Sequence, residues 1–201
     1  MRAKLLICAL LVLLLPSTVS AEWQIRPFVG ITFGGTTTFA IDLEEQAADP
    51  KLAFGASTVL VGEVFGLEAD FAHTPGFFGE GSLFAVTESS VSTFTGNLYI
   101  ALPRRWFRYT LRPYVVGGGG VMRVRGKDFL DIFNLNQTLP TWDVGGGATG
   151  FVNDRVGVSW ELRYFRGFSG DEPTGLSFGP ETVSFFRAMM ALTIRLDRHV
   201  P

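Results

Sequence analysis

Apolar and polar residues alternate along most of this chain, and this alternation limits its fold more than any other feature. In residues 158–165, read as VSWELRYF, the even-numbered positions are Val, Trp, Leu and Tyr, and the odd-numbered ones are Ser, Glu, Arg and Phe. Side chains of a β-strand point alternately to opposite faces, so this segment presents one apolar face and one charged face. Glycine interrupts most candidate helices. The sequence therefore predicts strands, and the fold depends on which face looks inward.

Eight such segments of roughly ten residues follow one another, which is the length of a tilted membrane-spanning strand. They are predicted at 23–34, about 52–61, 67–74, 91–102, 109–122, 141–152, 158–165 and 182–196. The sequence leaves open which face of the second segment points inward. Long connections at about 35–51, 75–90, 123–140 and 167–181 alternate with short ones. Regular alternation of long loops and short turns is typical of transmembrane barrels, so we predict an all-β, eight-stranded antiparallel up-and-down transmembrane β-barrel with both termini on the periplasmic side. A soluble lipocalin-like barrel is the architectural alternative.

The first 21 residues have the pattern of a cleaved signal peptide. Arg2 and Lys4 precede an apolar run from Leu5 to Pro16, which is too short for a membrane-spanning helix of about 20 residues. The Val-Ser-Ala sequence that ends at Ala21 resembles a cleavage site. We therefore expect an exported chain in which residues 22–201 form the barrel domain.

Composition limits the function of these remaining residues. Removing the segment lowers the basic residues from 17 to 15, against 19 acidic ones, and removes the one cysteine, Cys8. Mild net acidity repels phosphate backbones, so nucleic acid is not an expected partner. An exported chain without disulfides or long apolar runs can still enter a membrane as a closed barrel, because every backbone group is then paired between strands.

The charged residues of the strands gather on the face opposite the apolar one. Five basic and four acidic residues make up this set: Arg26, Arg112, Arg163, Arg187, Arg195, Glu68, Asp70, Asp143 and Glu161. In a barrel of eight strands the interior is just wide enough to be filled by side chains. Buried charges must be paired, so near-neutral balance predicts an interior charge network that plugs the barrel. Inward glycines at 117–120 and 145–147 would leave room for these side chains.

Aromatic residues cluster at both predicted ends of the strands. The interfacial set at the periplasmic rim is Trp23, Trp106, Phe107 and Tyr109; toward the outer rim lie Phe33, Phe77, Phe78, Trp142 and Tyr164. Two aromatic belts are expected of a barrel that crosses a bilayer.

Four short segments resemble the small outer-membrane barrels of the OmpA/OmpX-like type (the outer membrane protein β-barrel domain family). They are Arg112-Pro113-Tyr114 before a glycine run, Val144-Gly145-Gly146-Gly147, Glu161-Leu162-Arg163-Tyr164-Phe165 and Phe186-Arg187-Ala188. The resemblance implies a bacterial outer-membrane location, contact with outer-membrane lipid and insertion by the barrel-assembly machinery. The last strand ends in Arg195-Leu196, whereas such barrels commonly end in an aromatic residue.

The sequence favours a structural or surface-interaction role through the loops, and no enzyme activity, cofactor or metal site is expected. A narrow channel or a carrier of small hydrophobic molecules is the main alternative. A lipid-modifying enzyme is a third possibility, because His73 projects from an apolar face. His73 resembles the histidine of the His-x-Ser arrangement in barrels that deacylate lipid A, but here Thr74 and Pro75 follow it. The other histidine, His199, lies in the tail.

Overall fold

The computed structural model describes residues 21–37, 49–77, 86–103, 111–128, 134–168 and 182–196. These residues form eight strands: β1 (Glu22–Thr37), β2 (Lys51–Val61), β3 (Phe65–Pro75), β4 (Val86–Ala101), β5 (Leu111–Asp128), β6 (Asn134–Phe151), β7 (Val156–Phe168) and β8 (Thr182–Arg195). Each strand pairs antiparallel with its neighbours in sequence, and β1 also pairs with β8. The predicted eight-stranded up-and-down barrel is confirmed. No helix in the described ranges is long and apolar enough to cross a membrane.

The strands are staggered around the barrel. Following paired residues from Phe33 on β1 through β8, β7 and onward to β2 leads back to β1 at Trp23, ten positions earlier in the chain. A closed sheet with such a stagger requires strands that tilt from the barrel axis, typically by about 35–45°. The tilt brings residues that are distant in sequence to the same height inside the barrel.

The apolar faces of the strands lie on the outside. On β7, Trp160 and Leu162 are 49% and 50% exposed, whereas Glu161 and Arg163 are 4% and 0% exposed. The same alternation runs through the other strands. It also shows which face of β2 is external, because Leu52 and Phe54 point outward. The barrel is therefore inverted relative to a soluble protein, with most of its described strand charges inside and most of its large apolar side chains outside.

Several strands extend further than the sequence predicted, and the longest extensions are on β4, β5 and β6. β4 begins at Val86, β5 continues to Asp128 and β6 begins at Asn134, so parts of the expected loops at 75–90 and 123–140 are strand. The pairing of β4 with β5 reaches as far as Val86 and Asp128. These extensions are rich in polar residues and carry no regular apolar face, so the period-two pattern did not reveal them.

The two ends of the barrel differ. Short connections at 62–64 and 152–155 lie at the same end as Glu22 and Arg195, and we call this the turn end. The predicted turn at 153–155 is present there: the backbone N–H groups of Arg155 and Val156 donate to Asn153 Oδ1 at 2.9 and 2.8 Å. The opposite end, where the longer connections lie, is the loop end. The proposed signal peptide lies outside the described residues.

Candidate functional site

The middle of the barrel interior holds a network of buried ion pairs centred on Arg163. Its Nε donates to Glu161 Oε1 at 2.8 Å, its Nη2 donates to Glu68 Oε2 at 2.8 Å, and its Nη1 donates to Asp143 Oδ2 at 3.1 Å. All four side chains are fully buried. Because β3, β6 and β7 each supply a carboxylate or the arginine, the network joins strands that do not all neighbour one another.

Arg26 on β1 extends this network toward the turn end. Its Nη2 is paired with Glu68 Oε1, and its Nε donates to Ser57 Oγ at 3.1 Å. Its guanidinium lies 5.3 and 5.4 Å from the ring centroids of Tyr99 and Tyr114, which stack on each other with their centroids 4.5 Å apart. The central network is hereafter Arg26, Glu68, Asp143, Glu161 and Arg163.

Two polar side chains that the sequence analysis did not select complete the network. The Tyr114 hydroxyl donates to Glu161 Oε2 at 3.0 Å, and Asn97 Nδ2 donates to Glu68 Oε2 at 3.1 Å. Both residues lie on the charged faces of their strands, and this position was the available signal. Glu68 Oε2 also accepts from Arg163, whereas Tyr114 binds the oxygen of Glu161 that Arg163 does not contact. Linking the acceptors in this way raises the cost of removing any one member.

Arg187 and Asp70 form a second, separate pair closer to the loop end. Arg187 Nη2 donates to both carboxylate oxygens of Asp70 at 2.9 Å. The guanidinium is also sandwiched between Phe28 and Phe165, whose ring centroids lie 4.7 and 4.8 Å away. Arginine suits this position because its planar group stacks on aromatic rings while it pairs with a carboxylate.

Arg112 and Arg195 do not join the other predicted interior charges. Arg112 Nη2 donates to the carbonyl oxygens of Gly62 and Glu63 at 2.8 and 2.9 Å, so it holds the β2–β3 turn. Arg195 Nε lies 2.5 Å from Glu22 Oε1, and its guanidinium lies 3.4 Å from the ring centroid of Phe151. Both arginines therefore close the turn end rather than fill the middle.

This separation changes the charge balance that the sequence suggested. The buried middle of the barrel contains three arginines and four carboxylates, rather than five basic and four acidic groups: Arg26, Arg163, Arg187, Glu68, Asp70, Asp143 and Glu161. The two remaining arginines have their own partners at the turn end. Among the described residues, the charges of the middle are all in ion pairs with one another.

Apolar side chains fill the interior at the loop end. This apolar cap consists of Phe77, Val91, Met122, Val124, Leu139, Phe165, Val183 and Phe185. Phe165 stacks on Phe185 with ring centroids 5.2 Å apart, and Phe77 contacts Phe185 edge to face, also at 5.2 Å. The assignment of Phe77 to the outer aromatic belt was wrong, because Phe77 is 1% exposed and packs inside the barrel.

Four aromatic rings form a continuous row on the outer surface. Phe33, Phe186, Tyr164 and Trp142 follow one another with centroid distances of 5.8, 5.0 and 5.6 Å. This row includes the predicted Trp142 and Tyr164, and Trp23 is exposed near the turn end. Trp106, Phe107, Tyr109 and Phe78 lie outside the described residues, so the periplasmic belt stays a prediction.

His73 has a partner that its sequence neighbours did not indicate. The register between β3 and β4 sets His73 opposite Ser92, and His73 Nδ1 lies 2.9 Å from Ser92 Oγ. The ring also contacts Phe54 edge to face, with centroids 5.5 Å apart. Hydrolysis would require this hydroxyl to be activated beside a site for substrate and oxyanion, and a hydrogen bond on an open outer face does not supply that. In the described part of the chain, no group of three or more His, Cys, Asp or Glu residues could hold a metal ion.

The closed barrel with apolar outer faces has the fold of small eight-stranded outer-membrane β-barrels. The chain is similar in structure to Neisserial surface protein A (10% identity, TM-score 0.61), covering 86% of this chain and 96% of that one. It is also similar to the outer membrane protein OprG from Pseudomonas aeruginosa (13%, TM-score 0.58), covering 90% and 98%, and to the N-terminal barrel domain of OprF from the same organism (10%, TM-score 0.54), covering 89% and 100%. No family model matches the sequence, and no curated protein matches it. Likeness at these identities shows the fold.

Proposed function

We propose that this chain is an integral protein of the bacterial outer membrane whose role is structural or one of surface interaction. One observation carries the proposal: large apolar side chains cover the outside of the barrel while fully buried arginines and carboxylates occupy the middle of it. Hydrocarbon is the solvent that suits such an exterior, and a closed barrel leaves no unpaired strand edge in it. The arrangement has no advantage for a barrel in water.

The interior supports a closed barrel rather than an open pore. The central network fills the middle, and the apolar cap fills the loop end. Two kinds of packing therefore obstruct the same axis. A closed barrel can act only through its outer wall and its ends, so we propose that any partner meets the loops, which rigid scaffolds commonly use for binding. One structural neighbour is itself named a surface protein.

A carrier for small hydrophobic molecules is the second candidate, because the apolar cap offers a hydrocarbon environment near the loop end. Its members are packed against one another, with Met122, Val124 and Phe165 at 0% exposure, so a ligand would have to displace them. That requirement makes the closed barrel the better supported of the two. We propose no catalytic role for His73, and we propose insertion by the barrel-assembly machinery with both termini in the periplasm.

A charged substitution on the lipid face tests the membrane proposal. Leu162→Arg places a charge among apolar side chains near the middle of the outer wall, where the expected loss of stability in lipid vesicles is about 2–4 kcal/mol. The matched control is Val152→Arg in a turn at the turn end, where about 0–1 kcal/mol is expected. Folded fractions are read from gel migration with and without boiling.

The same pair of variants separates the membrane barrel from a soluble one. In a soluble barrel, Leu162→Arg would replace an exposed apolar residue with a charged one and improve solubility without detergent. Recovery of the wild-type protein in the aqueous fraction, or equal behaviour of the two arginine variants in vesicles, would contradict a membrane location.

A further inference from the structure

The outward charges that the structure describes on the barrel wall all have one sign. Among the described side chains of the strands, those that are charged and point outward are Arg123 and Arg125 on β5 and Arg166 on β7, and all three are exposed. No carboxylate in the described ranges forms an ion pair with any of them. Exposed arginines that have no carboxylate partner among the described residues present their guanidinium donors to an anion from outside.

Their height on the wall indicates where that anion comes from. Arg166 is paired laterally with Trp142, a member of the outer aromatic row. Arg123 lies one step toward the loop end from Val121, which is exposed at 45% and paired with Phe94 on β4. Arg166 is therefore level with the outer aromatic row, with exposed Phe168 one step further toward the loop end, and Arg123 and Arg125 lie beyond the apolar part of β5. Residues at the edge of an apolar wall are at the level expected of lipid headgroups.

Neutral polar groups surround the arginine pair on β5. Arg123 Nε donates to Asn136 Oδ1 at 3.1 Å, and the register sets Ser92 and Thr138 on either side of Arg123. The bond to Asn136 uses one guanidinium donor, and no described carboxylate pairs with the positive charge. Arg125, which likewise has no ion pair with a described carboxylate, follows two residues later on the same face.

We propose that Arg123, Arg125 and Arg166 form a binding site for the phosphate groups of an outer-leaflet glycolipid. Arginine presents a planar fork of donors that matches phosphate oxygens, and the apolar wall beneath it accepts acyl chains. The inference rests on the proposed membrane location, and it adds a lipid class and a side of the barrel. The site lies on the wall formed by β5 to β7, whereas the opposite wall has no described outward charge.

The test measures lipid A retained by the full chain in a neutral detergent, counted by native mass spectrometry. The triple variant Arg123→Glu/Arg125→Glu/Arg166→Glu is expected to bind lipid A at least about a hundredfold more weakly than wild type, because three charges that attract an anionic lipid surface become repulsive. Arg155→Glu, in the 152–155 turn, changes the charge at the other end and is expected to leave binding within twofold. Arg123→Lys/Arg125→Lys/Arg166→Lys is expected to have an intermediate affinity, because it keeps the positive charges but loses the planar guanidinium donors.

Two further measurements distinguish a lipid-borne phosphate from free inorganic phosphate. Lipid A with one phosphate removed is expected to bind wild type more weakly, and millimolar inorganic phosphate is expected not to displace lipid A. Displacement by inorganic phosphate would overturn the lipid assignment. Unchanged binding in the glutamate triple variant, or equal loss in Arg155→Glu, would overturn the site.

Gel migration with and without boiling verifies that each variant is a folded barrel, and the single variants Arg125→Glu and Arg166→Glu replace the triple variant if it does not fold. Wild-type protein that fails to enter vesicles contradicts the membrane proposal itself. A folded, inserted barrel with unchanged lipid A binding contradicts only this inference.

Discussion

At the scale of single residues, the interior is organised around Arg163. It contacts carboxylates of β3, β6 and β7, so one side chain connects three strands through the middle of the barrel. Buried ion pairs are not in themselves a large source of stability, because desolvation offsets the attraction. Removal of one partner is different, since the remaining charges stay buried and lose their compensation.

Arg163→Ala is therefore expected to lower the free energy of unfolding by about 3–5 kcal/mol, because it leaves three buried carboxylates with one less cation. Urea unfolding in lipid vesicles measures the change. Arg155→Ala, which truncates an exposed turn arginine, is the control and should cost less than about 0.5 kcal/mol. Equal effects of the two variants would show that the interior charges are solvated rather than buried.

Asp70 and Arg187 allow a cleaner test of a single buried pair. Asp70→Leu and Arg187→Met are each expected to lower the free energy of unfolding by about 3–5 kcal/mol, because each leaves one buried charge without its partner. The double variant removes both charges and keeps similar volume, so it should recover most of the stability lost by either single change. A thermal melt of the four proteins in detergent gives the coupling energy, and strictly additive losses would contradict a paired interaction.

At the scale of strands, glycine determines how closely neighbours approach. A Cβ at Gly120, which faces the interior, would collide with the Phe94 carbonyl oxygen and the Thr95 backbone of β4, whereas a Cβ at Gly96, which faces outward, would meet nothing within 4 Å. Gly120→Ala is expected to destabilise the barrel by about 1–3 kcal/mol through this overpacking. Gly96→Ala should be neutral or slightly stabilising. Urea midpoints of both variants in vesicles measure the difference, and equal midpoints would contradict the close packing.

The sequence predicted the strands well where an apolar outer face alternates with a charged inner face. Alternation on β1, β3 and β7 separates exposed apolar side chains from buried charged ones, so it is visible in the residues themselves. The loop-end parts of β4, β5 and β6 have polar outer faces and only a few apolar inward residues, such as Val124 and Leu139, and hydrogen bonds between the strands hold them. Their extent could not be read from a period-two pattern.

Sequence also selected the interior charges but not their partners. Which arginine meets which carboxylate depends on the ten-residue stagger around the barrel, and local residues do not encode that stagger. The same reason explains why the His73–Ser92 contact was missed and why Arg112 and Arg195 were grouped with charges at a different height. The direction in which a side chain points depends on its own strand, whereas the partner that it contacts depends on how the sheet closes.

At the scale of the whole molecule, two layers of different composition block the passage along the barrel axis. The central network is polar and ionic, and the apolar cap at the loop end excludes water by packing. A hydrated path through the network would still meet Phe165 and Phe185, which are 0% and 2% exposed. Closure therefore does not depend on the charges alone.

This redundancy predicts the electrical behaviour of the barrel. Wild-type protein in planar bilayers should give no discrete conductance steps, and Arg163→Ala should remain silent although it loosens the network, because the apolar cap is intact. Substituting Phe165 and Phe185 by serine in the Arg163→Ala background should produce steps, since polar side chains admit water at the loop end and the middle is no longer tightly paired. Serine substitutions alone, with Arg163 retained, provide the matched control and should stay silent. Steps in Arg163→Ala alone would mean that the charges are the only barrier, and steps in wild type would favour the channel over the closed barrel.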